Sequence, residues 1–123
     1  MLRIAVAAVI ALHGVVHLIG FVVPWRLASL EGFPYTTTAA WGRIELGEGG
    51  ARLLGVSWLI AAIVFFVAAF GIWQQAPWAL PLLAIVAAGS LVLCVLGSPA
   101  AVAGIAINVA ILAVIGYVAL RPS

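Results

Sequence analysis

The chain has 123 residues, 67% of them apolar and 7% charged, with a mean hydropathy of +1.38. A soluble globular domain runs near 45–50% apolar and about 25% charged, so this sequence lacks the polar residues that would cover a water-facing surface. It reads as an all-α integral membrane protein whose residues 1–123 form a single transmembrane domain in contact with the lipid bilayer. The five cations, Arg3, Arg26, Arg43, Arg52 and Arg121, are scattered. They do not form the clustered basic face that nucleic-acid binding requires. The lone Cys94 excludes an intrachain disulfide and a paired-thiol redox centre.

The first apolar stretch, residues 2–23, opens with Arg3 in the manner of a signal peptide. Histidines interrupt its apolar run and no small-residue cleavage site follows, so it is read as a retained helix. Pro24 ends it, because proline disfavours helical geometry in the residue before it. A long connection, residues 24–52, comes next and holds six of the eight charged residues. Its second half, residues 41–52, reads as a helical extension that would align Trp41, Glu45, Glu48 and Arg52 along one stripe. A hinge is equally compatible, since Gly47, Gly49 and Gly50 each weaken a helix by about 1 kcal/mol relative to alanine.

Three further stretches, residues 53–73, 78–96 and 100–120, match the roughly 20 apolar residues a helix needs to cross a bilayer. The expected fold is therefore a four-helix bundle with one long loop between the first and second helices. Gln74, Gln75, Ala76 and Pro77 make a short turn. At the next one, Gly97 suits a left-handed helix end, Ser98 an N-cap and Pro99 a first helical position, which makes the last two helices antiparallel neighbours. Trp25 and Trp41 suit one membrane interface, and Trp73, Trp78 and Tyr117 the other. Both termini fall on one side. Arg3, Arg121 and the amino terminus on that side nearly tie with Arg26, Arg43 and Arg52 on the other, so the positive-inside count alone does not orient the chain.

The depth of the buried polar groups is the sharper signal. At about 1.5 Å per residue from the loop side, Ser57 lies about 6 Å deep, His17 and Ser90 about 9 Å, Asn108 about 12 Å and His13 about 15 Å. All five fall in one half of the membrane. They are expected to line a pocket that opens toward the loop. Val6, Ile10, His13, His17 and Gly20 share one helical face, and Ala101, Gly104 and Asn108 form a stripe on the last helix that could meet it. Asn108 has a donor and an acceptor with which to fix a histidine tautomer.

Each of these residues also has a purely structural use. Intramembrane histidines face the bundle interior and can simply bond another helix, and Ser57 and Ser90 can bond the carbonyl one turn back. His13 and His17, spaced i, i+4, could hold one metal ion. No third strong ligand accompanies them unless Glu45 or Glu48 folds inward, and one haem cannot take both axial ligands from one helix face, so no metal or haem site is assigned. The five positions fit a site for a lipophilic small molecule better. His13 and His17 are the candidate catalytic residues, Asn108, Ser57, Ser90 and Trp41 candidate ligand contacts, and Glu45, Glu48 and Arg52 candidate gates at the mouth.

The runs Ala11-Leu12-His13-Gly14-Val15-Val16-His17-Leu18-Ile19-Gly20-Phe21 and Gly42-Arg43-Ile44-Glu45-Leu46-Gly47-Glu48-Gly49-Gly50-Ala51-Arg52-Leu53-Leu54-Gly55 resemble the first-helix and second-helix patterns of DoxX-like membrane proteins. His13, Glu45, Gly49 and Gly50 match that pattern, whereas His17 and Glu48 depart from it. The resemblance implies a four-helix protein of the bacterial inner membrane, tips the near-tied cation count toward cytoplasmic termini, and points to quinone as the ligand of a redox complex. Two rivals come from other classes. One is a non-catalytic assembly subunit that shows a partner helix the stripe Ala103, Ile107, Ala110, Ala113 and Gly116. The other is a small homodimeric transporter, for which four helices without intramembrane acids supply few parts.

Overall fold

The computed structural model describes residues 1–121. It is mostly helical: α1 (Leu2–His17), α2 (Ile19–Val22), α3 (Gly47–Trp73), α4 (Ala79–Leu96) and α5 (Val102–Leu120). A single non-helical residue, Leu18, separates α1 from α2, and the two make one span. Four helical spans, Leu2–Val22, Gly47–Trp73, Ala79–Leu96 and Val102–Leu120, are long and apolar enough to cross a membrane. Their outward faces carry large apolar side chains such as Val9, Leu53, Ile85 and Val114. Those faces suit hydrocarbon, as composition anticipates.

The helices pack in series, α1 on α3, α3 on α4 and α4 on α5. The central member is α3, which buries Ala51, Gly55, Ala61, Ala62, Ala68, Ala69 and Gly71. Small residues let backbones approach where lipid supplies no hydrophobic drive. Between them sits the fully buried Phe65, in a core with Ile10, Leu83 and Val86. At the other extreme, α5 buries one residue, Asn108. α1 and α5 are not packed on one another along their lengths.

Three local expectations are corrected. The second span begins at Gly47, so of the two expectations for residues 41–52 the helical extension holds from Gly47 onward, and its start is corrected from residue 41 to Gly47. Its glycines are used: Gly47 turns into the helix at φ +70, and a Cβ on Gly50 would lie 2.8 Å from that of Leu46. Trp41 and Glu45 do not join Glu48 and Arg52 in a helical stripe. They belong to a two-stranded antiparallel ribbon, β1 (Thr38–Ala39) and β2 (Ile44–Glu45), in register Thr38↔Glu45 and Ala39↔Ile44, so the chain is not purely helical. The ribbon tip turns with Ala40, Trp41 and Gly42 at positive φ. There, Ala40 N–H donates to Leu96 O at 2.8 Å and Trp41 N–H to Ser98 O at 2.9 Å. These bonds satisfy carbonyls that the end of α4 would otherwise leave unpaired.

The third correction is the α4–α5 turn. Gly97 has φ −84, not the left-handed value, and α5 starts at Val102 rather than at Pro99. Ser98 caps nothing ahead of it, because its hydroxyl donates back to Cys94 O at 2.7 Å. The serine completes the helix it leaves instead of opening the next, and the Ser98–Pro99 bond is cis.

Candidate functional site

Three helices bring their polar residues to one point. α1 presents His13 and His17 one turn apart, α4 presents Ser90 and Cys94, and α5 presents Asn108. All are buried: His17, Ser90, Cys94 and Asn108 to 98% or more, and His13 to 93%. His17 Nδ1 lies 2.7 Å from the His13 carbonyl oxygen, and its Nε2 meets Ser90 Oγ. Asn108 Nδ2 donates to Ser90 Oγ at 2.9 Å and lies 3.5 Å from Cys94 Sγ. Asn108 Oδ1 lies 3.2 Å from His13 Nε2. The stripes on the first and last helices therefore do meet.

For neutral rings, one proton arrangement fits every contact. A carbonyl oxygen only accepts, so His17 Nδ1 carries the proton and Nε2 is bare. Ser90 then donates its hydroxyl to His17 and accepts from Asn108 N–H, which turns Asn108 Oδ1 toward His13 and places the His13 proton on Nε2. The bonds form a closed circuit that begins at the His13 carbonyl and ends at the His13 ring. No buried side-chain nitrogen or oxygen among the described residues lacks a partner, as a stable intramembrane polar cluster requires.

Aromatic rings fix the imidazoles from the other side. Phe65 lies 4.8 Å from each histidine ring, centroid to centroid, and Trp58 lies 4.9 Å from His17. Trp58 also covers Gly20, where any Cβ would collide with its indole, and Cys94 Sγ fills the hollow at Gly104 in the same manner. Sequence reasoning did not single out Trp58, Phe65 or Cys94 as parts of the site. A signal for the first two exists in the i, i+3, i+7, i+10 spacing of Gly55, Trp58, Ala62 and Phe65, all buried on one face of α3.

A cavity of about 610 Å³ rests on this cluster, within the roughly 300–1,000 Å³ range of small-molecule sites. Its walls include His13, Val16, His17 and Gly20 from the first span, Leu54 and Trp58 from α3, Cys94 from α4, and Ala103, Gly104 and Ile107 from α5. Phe33, Pro34, Thr36 and Thr38 of the connecting segment roof it. The ribbon bonds to Leu96 and Ser98 tie that roof to the end of α4.

The remaining candidates lie elsewhere. Ser57 is half-buried and bonds Leu53 O at 3.2 Å, its local structural use. Ser90 does not follow it, since its hydroxyl serves His17 and Asn108. The expected gate residues do not line the cavity: Glu48 pairs with Arg26 at 2.9 Å, Glu45 accepts from Thr37 at 3.1 Å, and Arg52 sits 5.5 Å from the Trp25 ring. Tyr35 and Glu48 raise the Arg26 pKa further above its ordinary value, Tyr35 first, so this cation is permanent. Trp41 is half-exposed on the ribbon tip. No group of three or more His, Cys, Asp or Glu gathers among the described residues to hold a metal ion.

The geometry defines an integral membrane protein with a polar-floored intramembrane cavity. No known protein family matches the chain, and no curated protein or solved structure is detectably similar to it.

Proposed function

We propose that this protein binds a lipophilic small molecule with a polar head, and that a quinone of the bacterial plasma membrane, met from a chain with cytoplasmic termini, is such a ligand in a redox complex. The reading is supported chiefly by the position of His13: it lies at the inner end of a cavity of about 610 Å³ whose other walls are largely apolar. Polar groups fixed in an apolar chamber orient a head while the chamber accepts its hydrocarbon. His13 is the direct contact in this reading. His17 has both ring nitrogens bonded within the protein and holds His13 in place through Ser90 and Asn108. Titration of purified protein with a short-tailed benzoquinone, in both redox forms, tests it: His13→Ala/His17→Ala should abolish binding, and an unchanged double variant overturns the reading.

A second reading, an assembly subunit, is favoured by α5. Ala103, Ile107, Ala110 and Ala113 are exposed along it, a small-residue surface on which a partner helix or a second copy could pack. Native mass spectrometry in mild detergent separates the readings by reporting bound small molecule and stoichiometry together.

A further inference from the structure

The closed circuit leaves one ring nitrogen over. His13 Nε2 is committed to Asn108, and His13 Nδ1 has no hydrogen-bond partner among the described residues. Because no buried side-chain nitrogen or oxygen among the described residues lacks a partner, this Nδ1 reaches accessible surface, and the 93% buried His13 lines the cavity. The proton arrangement derived above makes it a bare acceptor. A hydroxyl can donate to it. A carbonyl oxygen offered at the same place would set lone pair against lone pair, with no proton between them.

The shape of the cavity adds to this. Its aromatic walls, Trp58 and Phe33, suit a flat ring, which pairs with aromatic side chains edge-to-face or offset. On the side where α1 and α5 are not packed together, its lining is Val16 from one and Ala103 and Ile107 from the other. That seam gives an alkyl tail a route to the hydrocarbon.

We propose that the cavity selects an aromatic amphiphile bearing a ring hydroxyl, a hydroquinone or related phenol, over its carbonyl counterpart, with the hydroxyl donating to His13 Nδ1 and the tail leaving between α1 and α5. This rests on the lipophilic-ligand reading and specifies which form of the ligand is held. Asn108 is the positioning residue, acting through His13 by fixing the tautomer.

The test is anaerobic calorimetry of the full chain in detergent with a short-tailed hydroquinone, its matching quinone and an alkyl alcohol of equal tail. An unpaired buried acceptor discriminates by about tenfold or more, so the hydroquinone should bind at least about tenfold tighter than the quinone, and it should also bind tighter than the alcohol, which can donate to Nδ1 but has no ring for Trp58 and Phe33. In Asn108→Leu and in His13→Gln, whose amide offers both a donor and an acceptor, the preference should fall to within about twofold while binding persists. Nitrogen-15 spectra of labelled ring nitrogens should show His13 bare at Nδ1 and protonated at Nε2, a readout that needs no ligand. Equal or tighter binding of the quinone overturns the selectivity and leaves the lipophilic-ligand reading standing. Equal binding of the alcohol overturns the aromatic assignment. Absence of binding by all three overturns both, and a His13 protonated at Nδ1 overturns the proposal by itself.

Discussion

The two halves of the bundle solve membrane packing differently. Toward the termini, Ala68, Ala69, Leu83 and Val86 pack an apolar interior around alanine. Toward the loop, His17, Ser90 and Asn108 are as deeply buried, and hydrogen bonds join α1, α4 and α5 there while Trp58 and Phe65 of α3 pack on the imidazoles; a cavity is left over. Dispersion rewards a packed interior in proportion to its contacts. A hydrogen-bonded cluster holds helices at the distances its bonds set, and so tolerates an adjoining void. The difference teaches that the polar residues here are spacers as well as donors and acceptors.

Phe65 belongs to both halves, and its loss should have the largest effect. Phe65→Ala is expected to lower stability by about 3–5 kcal/mol and to broaden the signals of both imidazoles, seen by thermal unfolding in detergent and by ring-nitrogen spectra. Ala68→Leu overpacks the apolar half alone. It should cost about 1–3 kcal/mol and leave the imidazole signals in place. Asn108→Leu acts on the polar half alone, with a loss of about 1 kcal/mol, since intramembrane hydrogen bonds are individually modest. There the imidazole signals should change although stability hardly does. Ser57→Ala, whose hydroxyl bonds only its own helix, should move stability by less than about 0.5 kcal/mol and shift neither half. If Ala68→Leu and Asn108→Leu gave the same spectral response, the division into two halves would fail.

Much of this division was legible in the sequence because helical rise converts position into depth. His13, His17, Ser90 and Asn108 lie in different spans at matching depths, and they meet. Ser57 matched in depth and is not part of the cluster, because depth leaves rotation undetermined and the carbonyl of Leu53 satisfied its hydroxyl. The gate residues were misplaced for a different reason. Their carboxylates found partners close to the connection, Glu48 in Arg26 and Glu45 in Thr37, and the second pairing depends on the ribbon, whose two-residue strands are too short for alternation to reveal. The helical extension was legible from Gly47 onward, as the i, i+4 pair Glu48 and Arg52 suggests, although the glycines' low propensity left a hinge equally open; its start at Gly47 rather than Trp41 had no such signal. The roof of the cavity had no sequence signal at all, since main-chain bonds from Ala40 and Trp41 tie it down.

Asn108 has a further consequence for α5. This helix is apolar on every side and buries only that residue, so a bilayer gives it almost no reason to prefer one rotation about its axis over another. Asn108, with Gly104 seated beside it on Cys94, works as a key in a lock and picks a single orientation. Mutational effects along α5 should accordingly be uneven, with most positions accepting any apolar residue, Gly104 accepting almost none, and Asn108→Leu loosening the helix's orientation at little cost in stability.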